Sequence, residues 1–524
     1  MHAAAAALAL LPVGFLVAML VAPALGLLAQ AAWSQTPWTD WLGPWTDDYL
    51  RWRMLWSVWQ AAVTCALVLV LGVPLAWVLA RMEFAGRAVV LRALMLPFVV
   101  PTLVAATGVL ALMGPRGVLQ PFVPDALEGG PWMLLYGNVF FNLCIFLRAA
   151  TEALEQVSAS RLAAARTLGA TPWRAFWRVE WPAMLPWLMP ALCLVFLYCF
   201  CGFGLALILG GPRYATVEVE VYTLVAHELQ LTQAGVLAAW VLLPTGLCAL
   251  LYAMLERRLA TPVRADRIAR RRPRSAAQWA AVLGCLALLA VLCAAPVAAI
   301  VWRALAAGPQ VWAILLSPQA LQGLWNTLRF SACAVALATL LGVCHALAAQ
   351  RWALMRALAF LPFVVSPVLV AFGLLVLYPS WAASAPLLVA AYALLAYPFV
   401  ATSLAAGLDG MPAHYLAAAR TLGASPWRAF WRVTWPLVLP ALRRGVAFAA
   451  ATAVGEFAVT LFLSRPEWAT LTTLVYEQLS QPGAARYEAA QVLACALMAL
   501  ALAVFMLLER PWGQPAQQGE WTHA

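Results

Sequence analysis

The chain has 524 residues, of which 65% are apolar and only 10% charged. Soluble domains carry about 25% charged residues, so an ordinary soluble enzyme is excluded and a bilayer, crossed at about 20 apolar residues per helix, is the fitting solvent. The net charge of +11 rests on 32 arginines and no lysine, so neither a phosphate-binding G-x-x-x-x-G-K-[ST] loop nor a Schiff-base residue is available, and no ATPase site or enzyme activity is expected of this chain.

In chain order the apolar runs predict twelve spans, near 3–29, 55–80, 93–113, 132–150, 183–208, 233–255, 277–302, 323–349, 357–378, 386–407, 437–463 and 489–508, which is an all-α integral membrane protein. The first run has no basic start and is too long for a cleaved leader, so it reads as a retained helix. The organisation expected is a leading helix and external loop (1–54), a first membrane domain (55–260), a basic linker with an extra helix (261–322), a second membrane domain (323–510) and a tail (511–524). Eleven cysteines lie within apolar runs without a C-x-x-C, and the five histidines form no H-E-x-x-H pair, so no metal site, bound cofactor or disulfide framework is expected.

Placing the amino terminus in the cytosol puts 24 of the 32 arginines in cytosolic loops and tail and eight on the other side. The positive-inside rule selects this orientation, with both termini cytosolic. Eight arginines crowd between Arg257 and Arg274 around Pro262 and Pro273. Because they follow a span directly, they read as a linker close to anionic lipid, and no nucleic acid is expected.

The chain repeats itself. Residues 162–186, LAAARTLGATPWRAFWRVEWPAMLP, and 416–440, LAAARTLGASPWRAFWRVTWPLVLP, differ at four of 25 positions. The spacing of 254 continues through Leu209/Leu463, Pro212/Pro466, Thr216/Thr470 and Tyr222/Tyr476, and LPFVV recurs at 96–100 and 361–365. Six spans separate equivalent segments, so the two halves are parallel, related by an axis along the membrane normal, and both copies of the loop face one side. Two copies of one surface call for a partner that is itself two-fold.

In each copy Ala163, Ala164 and Ala165, or Ala417, Ala418 and Ala419, give a small-residue patch on a helix-forming stretch. Gly169 or Gly423 permits a tight turn, and Pro172 or Pro426 suits the start of a second helix, which Pro182 or Pro436 is expected to close. Trp173, Trp177 and Trp181, and their counterparts 427, 431 and 435, fall on one face; interfacial anchoring accounts for them better than ligand binding. The alanine patch is best accounted for by docking into a protein groove.

This segment resembles the E-A-A-x-x-x-G signature of type-I ABC-importer permeases, with alanine in place of the glutamate at 163 and 417 and tryptophan before Pro182 and Pro436. The resemblance implies a MetI-like fold in the bacterial inner membrane. It also implies that the two loops are coupling helices gripped by two cytosolic ATPase subunits, which use ATP, and that an external, periplasmic binding protein delivers the substrate. Two fused halves are similar to the thiamine-type and ferric-iron-type permeases. The stretches Leu207–Thr216, Val217–Tyr222 and Val139–Leu143 resemble the thiamine type, so the resemblance implies thiamine or thiamine pyrophosphate as substrate, with ferric iron the alternative.

Glu456, in Val454-Gly-Glu-Phe457, is placed deep in the eleventh span, where a carboxylate costs about 2.5–3.5 kcal/mol and should face protein or a water-filled cavity. Its counterpart is Gly202; a counter-ion role and a structural role both remain open. Tyr198, Phe200 and Phe203 on the fifth span are candidates for the path, with core packing the alternative. Pro97, Pro101, Pro362 and Pro367 are expected to break the third and ninth helices. A secondary transporter driven by an ion gradient is the rival reading, and it would need more intramembrane ionisable groups than Glu456.

Overall fold

Alanine- and leucine-rich stretches between Gly/Pro punctuation fold as helices throughout the computed structural model, which describes residues 2–32, 37–122, 130–259, 268–382, 384–463 and 465–509. Among the described residues the one β pairing is an isolated bridge between Met82 and Arg271. The first half comprises α1 (Leu8–Ala32), α2 (Asp48–Arg81), α3 (Arg87–Val99), α4 (Thr102–Met113), α5 (Pro131–Glu155), α6 (Ala159–Thr167), α7 (Pro172–Phe200), α8 (Phe203–Leu209), α9 (Val217–Ala226) and α10 (Leu231–Leu255). The second half repeats them in order: α11 (Ala276–Ala306), α12 (Pro318–Ala349), α13 (Ala353–Phe363), α14 (Pro367–Leu377), α15 (Ala385–Asp409), α16 (Ala413–Thr421), α17 (Pro426–Val454), α18 (Ala458–Leu463), α19 (Leu471–Ser480) and α20 (Ala484–Glu509).

Ten of these helices are long and apolar enough to cross a membrane, and two bent pairs bring the number to twelve. The breaks expected in the third and ninth helices are present, at Pro101 and Pro367. The third and ninth apolar runs are folded back at their middles, α3 to α4 by 105° and α13 to α14 by 93°. Val100 and Ser366, the residues before Pro101 and Pro367, take extended backbone angles, because the proline ring disfavours the helical region for its predecessor.

The loop prolines behave differently from expectation. Pro182 and Pro436 do not close a helix, since α7 and α17 each run on for 29 residues from the loop into the membrane. A π-turn at Phe176–Glu180, and again at Phe430–Thr434, precedes the proline. The register shift there leaves an amide-free position into which the proline fits without breaking the rod.

The leading helix of each half crosses over. α1 packs on α10 of its own half and on α12 and α14 of the other; α11 packs on α20 and, across the divide, on α4 and α5. At each crossing a proline meets a glycine. A Cβ on Gly108 would lie 3.0 Å from the Pro296 carbonyl, and one on Gly373 would lie 3.0 Å from the Pro23 carbonyl. The exchange joins the halves into one body without relying on the linker, of which residues 260–267, with Arg264 and Arg267, lie outside the described residues, as does the tail beyond 509.

Candidate functional site

The two repeated loops adopt the same shape. α6 ends on Gly169 (φ +77°) and α16 on Gly423 (φ +80°), left-handed angles that favour glycine. The turn is closed by Ala170 N donating to the Ala165 carbonyl and by Ala424 N donating to the Ala419 carbonyl, both at 3.0 Å. Thr171 and Ser425 then cap the next helix through the amides of Arg174 and Arg428. Ala163 and Ala164, like Ala417 and Ala418, are exposed, with Ala165 and Ala419 half-buried. Leu168 and Leu422 stand out at the tips, each 87% exposed. The tryptophans run down one face as edge-to-face neighbours, Trp173 on Trp177 at 5.6 Å and Trp427 on Trp431 at 5.5 Å.

Ion pairs brace this end of both halves. Arg87 Nη2 lies 2.9 Å from Glu155, and its counterpart Arg356 Nη2 lies 2.9 Å from Asp409, tying the start of each bent pair to the end of α5 or α15. In the first half alone, Arg270 of the linker joins Glu155 and Glu83 at 2.9 and 3.4 Å. Partial burial works against the charge of Arg270, but the hydrogen bonds and the field of Glu155 and Glu83 outweigh it and raise its pKa.

Between the halves lies a cavity of about 210 Å³ whose wall is built from repeat-related pairs: Phe98 with Phe363, Tyr198 with Thr452, Gly202 with Glu456, Phe203 with Phe457. Such pairing puts the cavity on the pseudo-two-fold axis. Both helix bends contribute to it, through Val100–Thr102 and Val365–Pro367. At the end remote from the loops, Phe203 stacks on Phe457 across the axis at 5.9 Å; Tyr222 backs one ring at 5.4 Å and Tyr476 the other at 5.3 Å. Towards the loops, Phe98 and Phe399 meet at 6.1 Å and separate the cavity from a second hollow of about 480 Å³, into which Arg148 and Arg444 project.

The sequence candidates divide. Tyr198, Phe203 and Glu456 line the cavity, whereas Phe200 stacks on Phe196 outside it. Glu456 is not inside a span: α17 ends at Val454, and the carboxylate sits in the break before α18, where Oε1 accepts from Val459 N at 3.0 Å. It is 8% exposed, held by a helix start whose free amides favour a negative group.

Two polar groups at the wall, Asn142 and Ser366, and a carboxyl group behind it, Glu218, escaped sequence reasoning. Asn142 lines the cavity with its amide donating to the Asn138 carbonyl, while its buried Oδ1 has no partner among the described residues. Ser366, from the second half, donates to Glu218 of the first at 2.7 Å. Glu218 is fully buried, and its other oxygen has no partner among the described residues. The signal was present in the polar spacing of Gln60, Asn138 and Asn142 inside apolar runs; Asn138 donates to Gln60, which donates to the Cys199 carbonyl.

A paired set of exposed loops, a helical membrane body and an axial cavity define a membrane component of a transport system. The family of binding-protein-dependent transport system inner membrane components matches this chain twice, over residues 69–261 and 334–510, and the chain belongs to that family. It is similar over nearly its whole length to the thiamine transport system permease protein ThiP of Escherichia coli K12, at 27% identity across 92% of both chains. ThiP of Haemophilus influenzae is 27% identical over 84% of this chain and 85% of its own. The molybdenum transport system permease protein ModB of Azotobacter vinelandii is 30% identical over 35% of this chain and 84% of its own.

Proposed function

We propose that this chain is the two-half permease of an ATP-driven importer for thiamine or its phosphate esters. In this reading α6 and α16 are the coupling helices, with Ala163–Ala165, Gly169, Ala417–Ala419 and Gly423 entering clefts of two cytosolic ATPase subunits, and the loop end of the molecule faces the cytosol. An external binding protein delivers substrate at the opposite face of the bacterial inner membrane. The observation that carries the reading is the near-identity of two exposed loops at one end of a body whose axial cavity is walled by repeat-related residues. The thiamine class is supported by relatives of that printed name that align over both halves.

The mechanism follows from which contacts differ between states. Closure of the ATPase pair draws Leu168 and Leu422 together; α7 and α17 carry that motion without a joint, because each runs unbroken from loop to cavity. At their far ends lie the Phe203–Phe457 stack and Glu456, so a displacement of the rods parts the aromatic closure and admits substrate from outside. Aromatic rings offer π faces to a thiazolium cation, and Glu456 supplies the negative charge. The bends at Pro101 and Pro367 are the places where α3 and α13 can swing while α4 and α14 stay packed on the exchanged leading helices.

The test is uptake of labelled thiamine by cells whose own permease is deleted and which carry this chain together with an ATPase subunit and a periplasmic binding protein of a thiamine transport system. Uptake that is saturable, ATP-dependent and indifferent to an ionophore is expected. Gly169→Val with Gly423→Val should abolish it with protein still in the membrane; unimpaired uptake would sink the coupling role of these loops. Ferric ion carried in preference to thiamine would overturn the substrate class.

A further inference from the structure

At the loop end of the first half, and turned away from the axis, lies a groove of about 1020 Å³ between the last turns of α2, the start of α7, the linker strand at 268–271 and α11. Its walls are those of a lipid slot: Val70, Val73 and Trp77 on one side, Trp173 and Trp177 on the other. The polar groups are confined to its loop-side margin. Arg166 and Arg271 are both exposed there, and neither has an ion-pair partner among the described residues. Arg81, whose side chain is 9% exposed, gives Nη2 to Glu180 at 2.6 Å, while its buried Nη1 has no partner among the described residues.

We infer that this groove holds one anionic phospholipid of the surrounding bilayer, with its acyl chains along the α2 wall and its phosphate on the guanidinium groups of Arg81, Arg166 and Arg271. Charge selects the lipid. Three guanidinium groups face one carboxylate, Glu180, which Arg81 already engages, so the margin carries about two uncompensated positive charges. A headgroup with net negative charge satisfies them, and a zwitterionic headgroup brings its own cation into the same space. An orphaned, buried guanidinium N–H is costly and asks for an acceptor, which a phosphate oxygen supplies as a charge-assisted bond. Two indoles, Trp173 and Trp177, line the groove, and tryptophan is the side chain that favours the headgroup layer.

The site belongs to one half only. Thr434 stands where Glu180 would repeat, and the linker strand, paired to Arg81 and Glu83 through the Arg271 backbone, has no counterpart in the second half among the described residues. A lipid seated here touches the junction of α6 and α7 and fixes the first loop against α2. The inference stands apart from the identity of the transported substrate.

Native mass spectrometry of the whole chain, purified from nanodiscs holding equal phosphatidylglycerol and phosphatidylcholine, tests it. One phosphatidylglycerol per chain should be retained, at least tenfold over phosphatidylcholine. Arg271→Gln, which removes a surface side chain but leaves its backbone pairing, and Ala281→Trp, which fills the groove from α11, should each lower that occupancy at least fivefold with unchanged melting temperature. Arg420→Gln, the counterpart of Arg166 in the half without the groove, should leave it within twofold. Equal retention of the two lipids, or full occupancy in both groove variants, overturns the inference. So does displacement of the bound species by millimolar inorganic phosphate, which would make the site one for a free anion.

Discussion

The two ends of the molecule have kept and lost their symmetry to different degrees. At the loops, 21 of 25 residues are identical between the halves and even side-chain exposure is reproduced, with Trp173 and Trp427 both 70% exposed. At the cavity the same repeat has diverged: Gly202 faces Glu456, Asn142 has become Ala396, Asn138 has become Tyr392 and Glu218 has become Thr472. Under the proposed function, what each end would touch explains the difference. A pair of identical ATPase subunits would present the same cleft twice, so either loop would pay for any drift. A small organic substrate has no two-fold axis, and a path that binds it at specific points must break the symmetry of its walls.

If that division is right, damage at the loops should be severe and equal, and damage at the cavity graded and one-sided. The largest effect is expected from Leu168→Asp and Leu422→Asp made singly. Each puts a carboxylate into a contact that must shed water, which is costly without a partner. Each should reduce ATP-driven uptake at least a hundredfold, with the ATPase subunits recovered in lower amount on pull-down of the permease. The two variants should agree within about threefold, since a 0.6–0.7 kcal/mol difference is all that factor represents. One crippled and one silent variant would break the comparison.

A second, smaller effect separates the cavity walls. Ser366→Ala removes the hydroxyl that Glu218 accepts from and the cap of α14, leaving a fully buried carboxylate without a partner. The expected destabilisation is about 1–3 kcal/mol, measured as a lower melting temperature of the detergent-solubilised chain. The change should cost less in a Glu218→Gln background, where the carboxyl group that Ser366 serves is already gone. The repeat-related position in the first half is Pro101, which makes no such bond, so the latch between halves is single-sided.

Much of this was legible in the residues. Four differences in 25 located the loops, the positive φ of both glycines follows from their place after a helix, and Tyr198, Phe203 and Glu456, singled out on two different spans, all line one cavity. Hydropathy is blind to direction, however, so a bent pair such as α13 and α14 scores like a straight rod. It is blind to partners as well: nothing in the composition of α1 says that Pro23 will meet Gly373 in the opposite half. Reading Pro182 as a stop failed because α7 carries its prolines, Pro182 just after a π-turn and Pro186 and Pro190 within regular helix, without ending. Asn142 and Glu218 were passed over because one polar residue in an apolar run looks tolerated until its neighbours in space are known.

The smallest expected effect is also the one that bears most closely on the substrate. Glu456 holds Val459 N through one oxygen and faces the cavity, so it serves a helix start and a cavity wall at once. Gln in its place keeps a carbonyl oxygen for the amide and removes only the charge. A purely structural role therefore predicts unchanged uptake. A role in attracting a cation predicts a rise in apparent KM for thiamine of about tenfold, worth 1.4 kcal/mol, with the maximal rate little altered. Glu456→Asp, which keeps the charge on a shorter arm, should fall between the two. Gly202→Glu should not rescue the loss from the opposite wall, because a Cβ at 202 would lie 2.9 Å from the Tyr198 carbonyl, and the carboxylate would arrive only by displacing the end of α7. A full rescue would mean that the cavity reads charge without regard to side, and that its divergence from two-fold symmetry has no part in recognition.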